Sequence, residues 1–359
     1  MKSDLLIDCL EPFAQLAERA ALSPHYKSIE VQADLVRACS AYGVLEAAID
    51  IGIHAKEPVY LDSLTLFNIL KSLPKNEEVE FTVEGGALKW SCGDTDGKLA
   101  ILQTMELPVL KTPAMHKKAW TPTKEFYRAL DLGQISCGAV GMQSAGIYGV
   151  VIFNDGDLCV MSTDSGTMAF AQALDTDVAG MAAQFTLSPP AVNMVLSVLN
   201  GDIKDARISS DEKMMFCTVG HYSMMLRPVP ALKHNLKDFF ETYRKHTRIA
   251  SIPQDRVSAF VKRVAVLTEN KSNARVLMQA ADGALMLSFN EGTSASDEYY
   301  AIKGLDLPEA LPQVSLPAGP LARALTHIEE CVLDYVERGV IIFRNKSGTF
   351  CYFVSGEVK

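Results

Sequence analysis

The 359-residue sequence lacks several patterns that identify common classes of protein. No apolar run approaches the roughly 20 residues that a membrane helix needs, and acidic residues interrupt the N-terminal stretch where a signal peptide has its apolar core. The eight cysteines are scattered and include no CxxC pair, which favours free buried thiols over a disulfide framework or a zinc site. Together these absences predict a cytoplasmic protein.

Motifs for cofactor and metal binding are also missing. The glycine-rich stretch 138–146 lacks GxGxxG, and the seven histidines show no HxxxH spacing. The sequence NDGD at 154–157 lacks the spaced carboxylates of a calcium loop, so it is interpreted as a hairpin turn. We therefore expect no cofactor and no bound metal.

One short stretch, STDSGTM at 162–168, resembles the active-site loop of an aspartic protease. Such an enzyme needs two carboxylates that share a proton, and a two-lobed chain of this length would carry a second Asp-Thr/Ser-Gly. The nearest candidate, GDTDG at 93–97, does not fit that pattern. Asp164 is therefore predicted to lie in a polar turn between strands and not to be catalytic.

The composition is typical of a soluble globular protein, with 48% hydrophobic and 21% charged residues. A formal charge of −9 argues against a surface covered with nucleic-acid-binding groups, but it allows a basic region in a concave place. The length suggests two or three domains.

Three stretches of the sequence read alike. Each starts with a leucine, passes through a Pro- or Ser-containing cap and becomes a short amphipathic helix, at 61–73, 187–199 and 316–328. Strand-like segments with tight polar turns follow each helix, and a further helix-like segment with strands precedes it, at 10–22, 123–133 and 253–267. The sequence thus predicts an α+β protein of three similar domains, each built from two helix-plus-antiparallel-strand units.

The predicted boundaries follow from this repeat. We expect domain 1 at 1–118, domain 2 at 119–232, a basic and aromatic connector at 233–252, and domain 3 at 253–359.

This organisation resembles the bacterial-type sliding clamp, the β subunit of DNA polymerase III, over essentially the full length. The best local matches are the segments 265–302, 64–74 with 102–110, and 158–171, which is similar to the family's Thr-Asp-Gly turn. The resemblance implies a DNA-clamp fold and a ring of two chains joined head to tail, with helices lining the hole and strands forming the outer wall.

The same resemblance implies a function without an active site. Such a processivity factor encircles double-stranded DNA without sequence specificity and tethers the polymerase and the clamp loader through short peptide motifs. The alternative is a clamp-fold interaction protein, a decoy or inhibitor of replication partners that does not encircle DNA. A third possibility, an aspartic hydrolase, requires an activity that is lost in Asp164→Ala.

The charge pattern offers a test that does not use the family. The six predicted helix windows, 11–21, 64–75, 124–132, 189–199, 254–267 and 320–328, carry a net charge of +4, which leaves −13 for the rest of the chain. A lining more basic than the body would attract phosphates inside the hole. Chance variation over short windows is the alternative explanation.

Specific site residues follow from the helix positions and the resemblance. The expected DNA contacts are Lys27, Lys71, Lys75, Lys124, Arg128, Gln143, Tyr148, Lys262, Arg263 and Arg323, although any one of them could equally be an ordinary solvated side chain. The expected apolar contact between subunits is formed by Leu99, Val266 and Leu267, which could instead be core residues of one domain.

The pocket that receives partner peptides in the family departs from its pattern here. Its expected residues are Gly149, Thr163, Ser165, Gly166, Met168, Phe353 and Ser355, and several family apolar positions are small or polar in this chain. Peptide capture depends on a few buried apolar anchors, so we expect weak binding of the usual Gln-Leu-x-Leu-Phe peptide. This favours a divergent clamp that serves its own polymerase, as a phage-encoded version would.

Overall fold

The structure is a computed structural model, and its description covers most of the chain. The described residues are 1–17, 23–110, 119–137, 149–164, 166–174, 176, 184–199, 203–210, 213–229, 249–251, 259, 275–281, 284–289, 298–303, 312–317, 321, 327–332, 334, 339–355 and 357–358. They belong to two compact units, the first formed by 1–127 with 175–229 and the second by 128–174 with 230–359.

The longer helices of the described residues are α1 (Ser3–Leu16), α2 (Ser63–Ser72), α3 (Lys124–Gly133) and α4 (Pro189–Leu199). Helix α2 begins at a conventional cap, because the Asp62 carboxylate accepts a hydrogen bond from the Thr65 backbone N–H. Thr123 caps α3 by accepting from the Phe126 N–H. The predictions of α2, α3 and α4 are confirmed.

Helix α1 begins earlier than the sequence predicts. The expected helix at 10–22 is observed at Ser3–Leu16, with Pro12 inside it. Lys2, at the N-cap position, makes no side-chain cap; instead Ser3 donates its backbone N–H to the Glu77 carbonyl and its hydroxyl to the Pro74 carbonyl. A contact with a distant loop therefore satisfies the first turn, which local capping rules do not anticipate.

The large sheet of the first unit joins strands from two distant parts of the chain. The strands are β1 (Ser28–Gln32), β2 (Leu35–Ser40), β3 (Gly43–Ala47), β4 (Val59–Asp62), β12 (Arg207–Ser210), β13 (Met215–Val219) and β14 (Tyr222–Leu226). Their order in the sheet is β12-β13-β14-β3-β2-β1-β4. At the junction β14 pairs antiparallel with β3, with Tyr222 opposite Ala47 and Leu226 opposite Gly43.

A smaller antiparallel sheet of the first unit contains β5 (Val79–Glu84), β6 (Ala87–Cys92) and β7 (Thr95–Ala100). Val79, Leu88 and Cys92 are buried on one face, whereas Glu80 and Lys89 are exposed on the other. This alternation is the usual sign of a sheet that packs on one side only. Strand β7 lies at the edge of this sheet.

The second unit has a large sheet built in the same manner. Strands β8 (Val150–Asp155), β9 (Asp157–Thr163), β10 (Thr167–Ala173), β22 (Phe350–Ser355), β21 (Val340–Arg344), β20 (Glu330–Val332) and β15 (Ile249–Ser251) follow one another in this order. At its junction β22 pairs antiparallel with β10, with Met168 opposite Phe353. Strand β15 belongs to the stretch that the sequence predicts as a connector, so at least its end is part of a sheet.

The remaining sheet of the second unit has five strands. They are β16 (Arg275–Ala281), β17 (Ala284–Phe289), β18 (Glu298–Lys303), β19 (Val314–Pro317) and β23 (Glu357–Val358), in the order β18-β17-β16-β19-β23. The first unit also contains the short strand β11 (Gln184–Leu187). Of the described residues, β18 pairs only with β17 and is an edge strand.

The two junctions explain why the chain forms two compact units although the sequence predicts three domains. Strand β14 lies in predicted domain 2 but completes a sheet that begins in domain 1, and β22 from domain 3 completes a sheet that begins in domain 2. The division into three repeating domains remains a prediction, because sheets that cross its boundaries make the units of packing different from the units of sequence repetition.

Candidate functional site

The turn around Asp164 has the structure that the sequence predicts. One Asp164 carboxylate oxygen accepts hydrogen bonds from the backbone N–H groups of Gly166 at 3.0 Å and Thr167 at 2.6 Å. The Asp164 N–H donates to the Thr167 carbonyl, which closes the β9–β10 hairpin. The carboxylate thus holds a turn in shape, an ordinary role for aspartate. The NDGD hairpin is confirmed as well, with Gly156 at φ +86° between β8 and β9.

The residues expected in the peptide pocket lie together at one corner of the large sheet of the second unit. Met168 is directly opposite both Thr163 on β9 and Phe353 on β22. The Ser355 N–H donates to the Gly166 carbonyl at 2.8 Å, so the end of β22 is fixed to the Asp164 turn. Gly149 immediately precedes β8, and Ser165 lies outside the described residues. The structure therefore brings five of the seven expected residues into one small region.

An apolar cluster extends from this corner across the sheet face that points away from α3. We call this the distal face of the second unit. Its buried members are Cys159, Met161, Phe170, Val332, Ile342 and Phe353, and half-buried Phe153, Met168, Val340 and Cys351 pack against them. The opposite face contacts α3, because the Ser162 hydroxyl is hydrogen bonded to the Gly133 carbonyl.

The distal face therefore contains more apolar surface than the pocket residues alone suggested. Phe153, Met161, Phe170 and Cys351 were missed by sequence reasoning. Alternation along "TMAFAQA" points to two apolar faces of β10, but only the observed pairing places Phe170 beside Cys351.

The basic residues expected to contact DNA are partly described. Lys71, in the last turn of α2, and Lys75, just after it, are both exposed. The Lys71 ammonium lies 4.6 Å from the centroid of the Phe67 ring, a cation–π distance that favours one orientation of the side chain. Lys27 is half-buried in a short 3-10 helix at Pro24–Lys27.

On α3, Lys124 and Arg128 are four residues apart and exposed on one side of the helix. Glu125 and Asp131 are exposed on the same helix, so its net charge is zero. The other expected DNA contacts, Gln143, Tyr148, Lys262, Arg263 and Arg323, lie outside the described residues.

The observed start of α1 changes the charge pattern. Residues 3–16 contain Asp4, Asp8 and Glu11 and no lysine or arginine, a net charge of −3, whereas the predicted window 11–21 carried −1. The positive charge of the described helices is concentrated at the end of α2. Helix α1 is therefore more acidic than its predicted window, because that window was placed too late in the chain; the basic lining remains a prediction.

The expected subunit contact is described only in part. Leu99 lies on the edge strand β7, opposite Leu88, and is half-buried. Val266 and Leu267 lie outside the described residues. Strands β7 and β18 are free edges among the described residues, and both have backbone groups available to pair with another strand.

Loss of contact with water alters the pKa values of several cysteine and histidine side chains, and the Lys89 ammonium lowers the pKa of the exposed Glu84 carboxyl. All eight cysteines are in the thiol form; five are buried and three are half-buried, and burial raises the pKa of Cys217 to about 12. Partial desolvation lowers the pKa of the exposed His221 and His327; at His327 the Arg128 charge acts in the same direction and Asp131 opposes it. Within the described residues no three His, Cys, Asp or Glu side chains cluster as a metal site would require, and no helix there is long and apolar enough to cross a membrane.

Two repeated junctions, antiparallel sheets and short helices define the fold class of the chain as that of the DNA sliding clamps. Over 100% of its length the chain is similar to the DnaN sliding clamp (DNA polymerase III subunit beta) of Bartonella birtlesii bound to griselimycin, with a TM-score of 0.78, 16% sequence identity and 99% of that chain covered.

The DNA polymerase III beta subunit of Thermotoga maritima is similar over 100% of this chain and 98% of its own, with a TM-score of 0.77 and 16% identity. That of Pseudomonas aeruginosa is similar over 100% and 99%, with a TM-score of 0.70 and 15% identity. No protein-family model and no curated protein matches the sequence. The predicted clamp fold is thus confirmed by structure at low sequence identity.

Proposed function

We propose that the protein is a DNA sliding clamp: a non-enzymatic cytoplasmic processivity factor that forms a ring of two chains around duplex DNA. In this function the ring tethers a polymerase, and its loader opens and closes it. The proposal rests on one structural observation above all, the repeated way in which the sheets of this chain are completed.

The two observed junctions follow one rule. In each, the third strand of an early group (β3 or β10) pairs antiparallel with the last strand of a later group (β14 or β22). Two strands hold the same positions in their groups but have an edge with no partner strand in the described part of the chain: β18 is third after β16 and β17, and β7 is last after β5 and β6. Pairing of β18 of one chain with β7 of the next would apply the rule a third time and join chains head to tail.

Such a join would also remove the free edges. Unpaired N–H and C=O groups along an edge strand favour uncontrolled pairing with other chains, and closed rings avoid this hazard. Two chains of three repeats each would close with six repeats. This is the state that the proposed function requires.

Contact with DNA would be made by phosphate-binding cations. Exposed Lys71 and Lys75 at the end of α2, and Lys124 and Arg128 on α3, are the best-placed described candidates. Contacts of this kind fix no base sequence, which suits a protein that slides.

The decisive experiment combines light scattering with retention on DNA. We expect a dimer in size-exclusion chromatography with light scattering. After loading, we expect the protein to stay on circular DNA and to leave when the circle is cut. Retention that does not change on cutting would contradict encirclement, and a monomer at all concentrations would contradict the ring.

Charge variants test the DNA surface. Lys71→Gln with Lys75→Gln should weaken binding to duplex DNA at low salt and reduce the slope of log K against log salt by about 1 for each phosphate that is no longer bound. Lys89→Gln is the matched control, since Lys89 is an exposed lysine paired with Glu84 on the solvent face of a sheet. An equal effect of the control would contradict a specific role for the end of α2.

Partner binding is proposed for the corner formed by Thr163, Gly166, Met168, Phe353 and Ser355. Half-buried Met168 beside Phe353 supports this location, because peptides bind where apolar side chains remain partly accessible. We expect the peptide Gln-Leu-x-Leu-Phe to bind more weakly than low micromolar in a titration. Low-micromolar binding would contradict the idea of a divergent clamp with its own polymerase.

A second candidate function is favoured by the acidic surface of α1. Asp4, Asp8 and Glu11 without a compensating base disfavour phosphate contact at that helix. A clamp-fold protein that binds replication partners without encircling DNA would tolerate this surface. A monomer that binds polymerase peptides but is not retained on circular DNA would support this second function.

A further inference from the structure

The corner proposed above for partner binding has a counterpart in the first unit. There Cys39 on β2 is opposite Val44 on β3, and Val44 is opposite Met225 on β14. In the second unit the residues paired in the same way, at the same distance from the hairpin loop, are Thr163, Met168 and Phe353. The two large sheets therefore form the same corner with different side chains.

One backbone hydrogen bond supports this correspondence. The Arg227 N–H donates to the Tyr42 carbonyl at 2.8 Å, just as the Ser355 N–H donates to the Gly166 carbonyl at 2.8 Å. Each acceptor immediately precedes the strand that pairs at the junction, β3 in the first unit and β10 in the second. All five residues of the proposed partner corner thus have an equivalent in the first unit.

The counterpart corner in the first unit is occupied by the chain itself. We call residues 102–110, which form neither helix nor strand, the covering segment. Its residue Leu107 is buried in one apolar cluster with Cys39, and half-buried Met105 and Leu110 pack against that cluster. The first unit thus shows how a non-helical segment with three apolar anchors lies on such a corner.

The other side chains of the covering segment contribute little to this contact. The exposed residues are Gln103, Thr104, Glu106, Pro108 and Val109. Recognition therefore depends on the spacing of the three anchors, two residues apart and then three, because a few buried apolar side chains usually carry most of the binding energy of a peptide.

In the second unit only strand residues form the described apolar cluster at this corner, and Met168 there is half-buried. We infer that this corner binds a partner peptide of the same kind as the covering segment, with apolar residues spaced like Met105, Leu107 and Leu110. The inference rests on the peptide site proposed above and names the sequence pattern that the site selects, which differs from Gln-Leu-x-Leu-Phe.

One difference between the two corners refines the pattern. In the first unit the Leu110 N–H donates to the Glu46 carboxylate at 2.9 Å, and Glu46 is opposite Arg37. The equivalent pair in the second unit is Phe170 opposite Met161. The last anchor of the partner peptide should therefore be apolar, since a charged group would lose water over Phe170 without gaining a partner.

Peptide titration tests the pattern. The probe is a fluorescein-labelled copy of the covering segment, Leu-Gln-Thr-Met-Glu-Leu-Pro-Val-Leu, and its fluorescence anisotropy is followed as the full chain is added. We expect its dissociation constant to be roughly tenfold lower than that of Gln-Leu-Ser-Leu-Phe. Within the peptide, Leu107→Ala or Leu110→Asp should raise it roughly tenfold, whereas Val109→Ala, at an exposed position, should change it little.

Variants of the protein test the location. Met168→Lys should raise the dissociation constant of the copy roughly tenfold, because it places a charge among the apolar side chains of the corner. Met286→Lys is the matched control, since Met286 is an exposed methionine on β17 of the same unit. Equal affinities of the two variants would mean that the copy binds elsewhere, and would overturn the inference.

The outcomes separate this inference from the proposed function. A copy that binds no more tightly than Gln-Leu-Ser-Leu-Phe, or not at all, overturns the inference, and another occupant then holds the corner. If the same preparation is still retained on circular DNA, the proposed clamp stands. A chain that binds the copy through Met168 but is never retained on circular DNA overturns encirclement and supports the inferred peptide pattern.

Discussion

The large sheets of the two units are assembled in the same way, yet their faces away from the helices differ in chemistry. In the first unit this distal face carries an ion-paired network, in which Arg37 binds Glu46 at 2.7 Å and Glu30 at 3.2 Å. In the second unit the distal face carries Met161, Phe170 and Phe353. The same arrangement of paired strands can therefore carry surfaces with different side chains and different binding properties.

The polar network of the first unit is completed by the chain itself. The Leu110 N–H donates to the Glu46 carboxylate at 2.9 Å, and Leu107 is buried against Cys39, Val44 and Tyr60. The segment 102–110 thus covers its own sheet. A face covered in this way has little accessible surface for a partner. The distal face of the second unit differs, because the half-buried side chains of Phe153 and Met168 at its margin remain partly accessible for binding.

The largest expected loss of stability comes from a substitution on the apolar distal face of the second unit. Phe353→Ala should lower the free energy of unfolding by about 3–5 kcal/mol, because it leaves a cavity beside the β22–β10 junction. Urea denaturation measures the effect as a lower midpoint. Met225→Ala is the matched control on the last strand of the other sheet, and Met225 is only half-buried. An equal loss in both variants would contradict the contrast between the faces.

Disruption of the polar network should have the next largest effect. Arg37→Met removes the cation that pairs with Glu30 and Glu46 in a site where the Arg37 side chain is 12% exposed, so a loss of about 3 kcal/mol in the free energy of unfolding is expected. Combining it with Glu30→Gln and Glu46→Gln should restore part of the stability in the same urea experiment. If the triple variant were less stable than Arg37→Met, the network would have to stabilise by more than charge pairing.

The junction of the first sheet should tolerate no added side chain. A Cβ atom at Gly43 would lie close to the backbone carbonyl of Met225, so Gly43→Ala must displace β3 from β14. We expect a loss of about 1–3 kcal/mol, measured by thermal unfolding. Gly85→Ala is a control that measures only the cost of losing a glycine's backbone freedom, since Gly85 has a positive φ but no neighbour within 4 Å. A stable Gly43→Ala variant would show that the junction can adjust.

Removal of the turn carboxylate should be milder. Asp164→Ala loses two hydrogen bonds to backbone N–H groups, and a cost of about 1–2 kcal/mol follows in urea denaturation. Asp164→Asn keeps an acceptor and should recover most of the loss. If the asparagine variant were as unstable as the alanine variant, the charge and not the hydrogen bonding would be the important property.

The smallest expected effect is on the pH dependence of stability, and it involves one histidine in each unit. Partial loss of contact with water lowers the pKa values of His221 and His327, so below about pH 6.5 the unfolded chain binds protons more readily than the folded chain. Stability is therefore full above that pH and declines below it. His221→Gln and His327→Gln should each flatten the melting temperature between pH 6.5 and 5. Unchanged slopes would contradict the lowered pKa values of these rings.

Much of the fold was accessible from the sequence, because its signals are local. Caps and apolar periodicity predicted α2 and α4, and alternation with turn glycines predicted the hairpins. Helix α1 was misplaced since its start depends on Glu77 and Pro74, which are far away in the sequence. The pairing of β3 with β14 was not predicted for the same reason.

The candidate site was less accessible than the fold. The resemblance placed Thr163, Met168 and Phe353 correctly in one region, but pairing was needed to add Phe170 and Cys351. The acidic surface of α1 could not be predicted from the sequence, because Asp4 and Asp8 belong to the helix only when its true start is known.

The long-range junctions also have a consequence for biosynthesis. Strand β3 ends at Ala47, but its partner β14 begins at Tyr222, so a nascent chain carries an incomplete sheet until most of the first unit has left the ribosome. The large sheet of the second unit is completed even later, when β22 (Phe350–Ser355) has been synthesised. During translation the unpaired edges of β3 and β10 are thus open to association between neighbouring chains, and early termination before residue 350 would yield aggregation-prone fragments rather than a smaller working protein.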